Sequence, residues 1–331
     1  MTRLGATFHT ELLLTCGLLL ACFTLLYFSR QVGKQKSQPP KSQPLKAADH
    51  VNDGKYHLLL AATGSVATIK IPNILTALSK YDNLSIRLLL SESAAKFLQA
   101  QSGEQPSLDQ TAKIKNVDGI YRDADEWRKP WVRGDPILHI ELRRWADMMV
   151  IAPLSANSLA TLALGLSDNL ISSAARAWDT HNMIDLARPG ITLPCGGKKV
   201  IIVAPAMNTA MWAHPVTSKH LDVLSREWGV EYGGWFEVLW PIDKGLACGD
   251  TGSGAMREWK EIVAAIETKF GLDQSREEAL IQVALVKIDR ARARGSPMAD
   301  FTQEEADALR RMKANEKRIK VDETAVAKRL R

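Results

Sequence analysis

Three polar side chains have the chemistry of a small-molecule site: an imidazole at His139, a carboxamide at Asn208 and a thiol at Cys248. An imidazole takes or gives a proton near neutral pH. A carboxamide presents one acceptor and two N–H donors in a fixed plane, which suits it to holding a carboxylate or amide of a ligand. Asn208 stands between Met207 and Met211 in Pro205-Ala206-Met207-Asn208-Thr209-Ala210-Met211-Trp212, directly after the apolar run Val200 to Ala204. His139 lies one helical turn before Arg143, so an imidazole and a guanidinium together could meet an anionic substrate. Cys248 is followed by Gly249, Gly252 and Gly254, a run that argues against a core position and reads as a mobile flap. Each residue also has a plain structural reading: a helix cap for the Asn, a surface or structural imidazole for the His, a small buried thiol for the Cys.

The elements that must position them alternate between strand and helix. The apolar run His57 to Ala62 passes into Thr63-Gly64-Ser65-Val66-Ala67 and a helical pattern that continues to Lys80. Such a junction aims backbone N–H groups and the positive end of a helix dipole at one spot, and Gly64 lets a phosphate approach the backbone. Neither G-x-G-x-x-G nor the Walker pattern is met. A second run, Ile86 to Leu90, ends in Ser91-Glu92-Ser93. Helical His139 to Asp147 leads into the strand Met148 to Ala152, after which Pro153-Leu154-Ser155-Ala156-Asn157-Ser158 repeats the strand, turn and helix design. Ser155 or Asn157 would cap that helix, with the same groups a phosphate cradle uses. Asp168 or Asn169 would cap the next. The alternation predicts a doubly wound parallel α/β sheet whose ligands gather at the carboxyl ends of its strands. Gln101 to Pro136 is polar and turn-rich and reads as a surface excursion over the site.

Composition limits the rest. With 331 residues, 46% of them hydrophobic, the chain can bury a large core. The formal charge of +6 gathers in a linker and a C-terminal tail, so it marks no nucleic-acid surface. Cys16, Cys22, Cys195 and Cys248 are far apart, which gives neither a disulfide framework nor a zinc cluster and suits a reducing compartment. Leu12 to Phe28 carries no charge and as a helix reaches roughly 26 Å, enough for an uncleaved membrane anchor. No basic n-region or cleavage site marks it as a signal peptide, and no Arg-rich amphipathic pattern as a mitochondrial presequence. Arg30, Lys34, Lys36, Lys41 and Lys46 follow it and place the main body in the cytosol. Residues 29–54 read as a flexible linker, 55–272 as the globular domain and 273–331 as a solvated helical extension, with a capping box at Thr302-Gln303-Glu304-Glu305.

Gly64-Ser65-Val66-Ala67, His139-Ile140-Glu141-Leu142-Arg143-Arg144-Trp145-Ala146-Asp147, Pro153 to Ser158, Pro205 to Trp212, Ala247-Cys248-Gly249-Asp250 and Gly254-Ala255-Met256 occur in this order. Together they resemble the flavin-dependent cysteine decarboxylase family, in the fungal branch that acts on 4'-phosphopantothenoylcysteine, over roughly Lys55 to Leu272. The resemblance implies a flavodoxin-like fold, a homotrimer binding FMN between subunits, and 4'-phosphopantetheine as product, a step of coenzyme A biosynthesis. It assigns catalysis to His139 and Cys248, and the substrate to Asn208, Arg144, Met211, Ala247 and Met256. FMN would be held by Gly64, Ser65, Val66, Ser91, Ser93, Ser155, Ala156, Asn157, Ser158 and Ala206, with no metal. Loss of carbon dioxide from a cysteine amide needs an electron sink. Oxidising the CH₂–SH group to a thioaldehyde creates one, the enethiolate formed on decarboxylation is stabilised, and the electrons return with a proton from Cys248.

In some fungal relatives the histidine and the cysteine come from different polypeptides, as heterotrimers with paralogues; this chain carries both, which implies a self-sufficient homotrimer. If the sites lie between subunits, His139 faces Asn208 and Cys248 of a neighbour. Ser91, Ser93 and Ser158 stand where the family often has threonine, and Asp179 to Lys199 is a longer insertion resembling those of fungal relatives. Two other readings remain open: an inhibitory subunit of a Ser/Thr protein phosphatase, against which the mixed-charge tail counts, and another flavoprotein of the same fold, such as a peptidyl-cysteine decarboxylase or a flavin prenyltransferase.

Overall fold

Long, predominantly apolar runs form strands where both faces of a sheet are covered, and four such strands of six or seven residues make the centre of this molecule. The computed structural model describes residues 45–185, 188–191, 193, 197–245, 251–272, 281 and 302–313. The sheet consists of β1 (Tyr56–Ala62), β2 (Leu84–Leu90), β3 (Val117–Tyr121), β4 (Met148–Leu154), β5 (Val200–Pro205) and β6 (Phe236–Val238). All pairings are parallel and the spatial order is β3-β2-β1-β4-β5-β6. In β1 each residue from Tyr56 to Ala62 faces its partner from Leu84 to Leu90, while Leu58 and Leu60 face Met148 and Val150 of β4.

Successive side chains of a strand point to opposite faces, and the packing follows that rule. Leu58, Leu60 and Ala62 pack on one side with α1 (Ile71–Leu78) and the distant α7 (Trp259–Phe270). Leu59 and Ala61 pack on the other with α2 (Leu138–Trp145), α3 (Ala156–Ala163), α4 (Leu170–Arg176) and α6 (Pro215–Asp222). The short α5 (Thr209–Ala213) joins β5 to α6, and an antiparallel hairpin of β7 (Ile242–Gly245) and β8 (Thr251–Ala255) precedes α7. The doubly wound parallel sheet of the flavodoxin-like class is therefore present. Its six strands follow the 3-2-1-4-5-6 order of dinucleotide-binding folds rather than the 2-1-3-4-5 order of flavodoxin itself.

Three expectations change. The polar stretch Gln101 to Pro136 is not wholly a surface excursion, because β3 within it pairs with β2 as an edge strand and buries Ile120 and Tyr121. The folded unit also extends into the expected linker: Leu45 is buried, and the N–H of Ala47 donates to Glu141 Oε2 at 2.7 Å. The capping box at Thr302 is formed, with Thr302 N donating to Glu305 Oε2 and Glu305 N to Thr302 Oγ1. Residues 303–313 are helical, and burial of Glu305 and Ala308 means that this segment is not solvated all round as expected. The candidate anchor Leu12 to Phe28 and most of the C-terminal extension lie outside the described residues. Among the described residues no helix is long and apolar enough to cross a membrane, and no cluster of metal-ligating side chains occurs.

Candidate active site

The strand order reverses between β1 and β4, and the crevice outside their carboxyl ends is where an open α/β sheet receives a ligand. Buried Thr63 fastens the two turns there. Its N–H and its hydroxyl both donate to Pro153 O at 3.0 Å, and Oγ1 accepts from Ser155 N at 2.7 Å. Ser65 then accepts from Ala67 N at 3.4 Å, Ser91 from Ala94 N at 3.2 Å and Ser155 from Ser158 N at 3.3 Å. Each strand thus ends in a hydroxyl that caps the following helical turn. Ser155, not Asn157, is the cap of α3, and Asn169, not Asp168, is the cap of α4.

These turns enclose a cleft of about 1040 Å³. Gly64, Ser65, Val66, Ser91, Ser93, Ser155, Ala156, Asn157, Ser158 and Ala206 all line it, as do Asn208, Met211 and Met256. At Gly64 a Cβ would lie 2.4 Å from Ser93 Oγ, so the first two turns meet at a point with no room for a side chain. Sequence reasoning missed Lys70, Lys96, Arg257 and Trp259 on the same walls. Lys70 and Lys96 follow the first two turns closely, a spacing that was legible, whereas Arg257 and Trp259 arrive only because α7 packs beside α1.

Asn208 caps α5: its Oδ1 accepts from Met211 N at 2.9 Å. The cap and the ligand-facing group are thereby separated, because the amide Nδ2 has no hydrogen-bond partner among the described residues and is left to donate. The β7–β8 hairpin docks on this turn, with Met207 N donating to Gly254 O at 3.0 Å. Gly254 has φ +113°, and a Cβ there would stand 2.7 Å from Met207 O, so the hairpin backbone lies directly against the Asn208 turn. Ala247 and Cys248 belong to the connection between the two strands, residues 246–250, and lie outside the described residues.

His139 and Arg144 are not brought to the cleft of their own chain. His139 lies in the first turn of α2, where its Nδ1 contacts Glu126 Oε1 and its N–H points to the same oxygen at 3.4 Å. Arg144 pairs with Glu141 at 3.1 Å on an exposed face. The expected pairing of His139 with Arg143 does not occur: Arg143 is buried and its guanidinium contacts Asp185, a carboxylate of the insertion, instead of facing a substrate.

Behind α2, at the amino end of the sheet, lies a buried ionic cluster. Lys199 Nζ is 2.9 Å from Asp185 Oδ2 and donates to the carbonyls of Arg143 and Arg144 at 3.2 and 3.3 Å, which places a cation at the negative end of α2. Burial pulls the Lys199 ammonium below its ordinary range, against the attraction of Asp185. Burial, with the Arg188 guanidinium alongside, lowers His57 to about 4. Asp147 is raised by burial to about 6, although Arg188 at 3.6 Å and the His57 N–H at 2.8 Å favour its charge. Arg188 and Asp185 both come from the insertion whose purpose could not be read in the sequence.

The Flavoprotein family matches residues 46–271. A probable phosphopantothenoylcysteine decarboxylase of Arabidopsis thaliana is 42% identical over 224 residues, covering 68% of this chain and 92% of its own length. A probable thymidylate synthase of Schizosaccharomyces pombe is 40% identical over 230 residues, 70% of this chain, which spans only 32% of that protein. Among solved structures, a cysteine-to-serine variant of phosphopantothenoylcysteine decarboxylase complexed with pantothenoylaminoethenethiol superposes with a TM-score of 0.50 at 40% identity, over 65% of this chain and 97% of the other. With its cleft at the sheet's switch point and a relative matched over nearly its whole length, the chain belongs to the flavoprotein family and, within it, to the phosphopantothenoylcysteine decarboxylases.

Proposed function

We propose that this chain decarboxylates 4'-phosphopantothenoylcysteine to 4'-phosphopantetheine, a step of coenzyme A biosynthesis, with FMN as cofactor. The observation that carries the reading is the convergence of three hydroxyl-capped turns and the free amide of Asn208 on one cleft. The residues fit a flavin. Ser65, Ser91 and Ser155 cap turns that line the cleft, the kind of helix start at which a phosphate is received, and at Gly64 the absence of a Cβ leaves the backbone open to close approach. The cleft is at the upper end of the size range for small-molecule sites. Gly64, Ser65, Val66, Ser91, Ser93, Ser155 to Ser158 and Ala206 would hold the cofactor. Bound there, it would supply reversible two-electron oxidation of the substrate's CH₂–SH group, which creates the C=S sink needed for loss of carbon dioxide.

The remaining work falls to side chains. Asn208, its oxygen committed to the cap, donates from Nδ2 to the carboxylate that leaves. Met211 and Met256 wall that carboxylate with apolar surface, which favours dispersal of its charge. His139 takes the thiol proton, and Cys248 gives one back in the closing step. Because His139 does not line its own chain's cleft, a homotrimer with each site completed by a neighbour accommodates both groups. Arg144 would then reach the substrate from the same neighbour, while residues 55–272 form the catalytic domain and Leu12 to Phe28 a membrane tether.

The test is to purify the full chain, record its visible spectrum and incubate it with 4'-phosphopantothenoylcysteine. A yellow protein that releases carbon dioxide is expected. A colourless, inactive protein overturns the proposal, and one that instead inhibits a Ser/Thr phosphatase replaces it.

A further inference from the structure

Among the described residues Glu126 is the one carboxylate that contacts His139, and the catalytic reading gives it no part. It closes the short helix Asp123–Glu126, and its side chain is only 6% exposed. Two neighbours brace that helix: Asp123 Oδ1 accepts from Leu170 N of α4 at 2.8 Å, and Asp125 Oδ2 accepts from Arg122 N at 2.8 Å. Oε1 of Glu126 therefore has a fixed place, between the backbone N–H and the ring Nδ1 of His139.

An ionised carboxylate only accepts hydrogen bonds, so the nitrogen it touches must carry the proton. In the neutral ring the lone pair is then on Nε2. That nitrogen has no hydrogen-bond partner among the described residues, and the side chain is 25% exposed, so its free edge remains open. From this geometry we propose that Glu126 is the positioning residue of the site: it fixes the Nδ1–H tautomer and the ring plane of His139, and makes Nε2 the atom that exchanges a proton with the substrate thiol. The proposal rests on the decarboxylase reading given above. A purely structural role competes with it, because Glu126 also accepts from the N–H of His139, one of the free N–H groups in the first turn of α2.

The substitution Glu126→Gln separates the two roles. Gln retains an oxygen acceptor for the backbone N–H, and its amide can turn to meet either ring tautomer. The expected result is a kcat lowered about 10-fold to 100-fold, as for partial loss of a general base, with KM changed less than about 2-fold. Thermal stability and flavin absorbance should match the parent protein. In a His139→Asn background, Glu126→Gln should cost nothing further, since the two act as a unit. Nitrogen-15 correlation spectra of His139 in alkaline buffer should show the proton on Nδ1 in the parent and mixed tautomers in Glu126→Gln. An Nε2–H tautomer in the parent, an unchanged kcat in Glu126→Gln, or a further loss on the His139→Asn background overturns the proposal. The spectra test the tautomer without turnover, so an inactive parent would sink the decarboxylase reading and leave this outcome separately legible.

Discussion

The contact between Gly64 and Ser93 fixes how closely the first two turns of the cleft approach, and adding one methyl group measures what that closeness is worth. A Cβ on residue 64 would lie 2.4 Å from Ser93 Oγ and 2.9 Å from Ser93 Cβ. Gly64 does not have a left-handed backbone, so alanine meets no torsional penalty there and the whole effect is the contact. The hydroxyl of Ser93 can rotate away at the loss of its 3.2 Å contact with Ser91 Oγ. Its Cβ cannot, and restoring ordinary carbon–carbon separation requires one turn to move by roughly 0.5–1 Å. Overpacking of this kind costs about 1–3 kcal/mol. If the moved turn is the one that presents its N–H groups to the flavin, Gly64→Ala weakens FMN binding by about 5-fold to 150-fold.

A graded series isolates the cause. Ser93→Ala removes the oxygen and keeps the Cβ, so combined with Gly64→Ala it should recover little. Ser93→Gly removes both atoms, and Gly64→Ala/Ser93→Gly should regain most of the affinity, with a coupling of about 1–3 kcal/mol in the double-mutant cycle. Titration of apoprotein with FMN, followed by flavin fluorescence, gives the four dissociation constants, and melting curves show whether any strain is taken up by stability instead. Additive losses in both measurements, or an unaltered Gly64→Ala, would refute the argument that this contact sets the turn.

Two further outcomes follow from other parts of the molecule. His57, about 4 when folded and 6.5 when not, binds fewer protons in the folded state and makes stability rise with pH between those values; Asp147, about 6 when folded and 3.8 when not, retains a proton and makes stability fall across nearly the same window. The two slopes oppose each other, so urea midpoints should vary little from about pH 4 to 6, while Asp147→Asn should unmask a loss on acidification and His57→Gln a loss on raising the pH, each on the order of 3 kcal/mol. Asn208→Asp retains the cap acceptor for Met211 N but replaces the donor with a like charge facing the substrate carboxylate, so turnover should vanish with melting temperature preserved; Asn208→Ala should lose turnover and about 1 kcal/mol of stability, read from the same melts.

What the sequence disclosed depended on how local the cause was. β1, β2, β4 and β5 were legible because strands covered on both faces leave predominantly apolar runs. Val117-Asp118-Gly119-Ile120-Tyr121 was not, since an edge strand buries only part of its length and looks like the polar loop around it. The turns could be located from small hydroxyl residues at strand ends, yet not the identity of each cap, because Ser155 and Asn157 have equal chemistry until the backbone chooses. Arg143 was placed beside His139 by helical spacing. Its actual partner, Asp185, stands 42 residues further on, and Glu126 stands 13 residues before His139; neither distance leaves a periodic signal.

The helix α2 connects the two ends of the sheet, and its placement bears on how a complete site can be assembled. Its last carbonyls receive Lys199 and its Arg143 is held by Asp185, so the insertion clamps the end of the helix remote from His139. His139 at the other end is held by Glu126, and in the segment that follows Glu126 the side chains of Trp127, Trp131 and Val132 are exposed by 77, 57 and 65% in the single chain. Exposed large apolar side chains clustered in one segment have the character of an interface. The cleft with Asn208 is a different patch of the same chain. A site that needs both patches must join unlike surfaces of two copies, and where such a contact repeats head to tail it generates a ring when its rotation closes. The homotrimer proposed above is such a ring, and in it the hold of Asp185 and Lys199 on α2 would position His139 for a neighbour's substrate rather than for the chain's own.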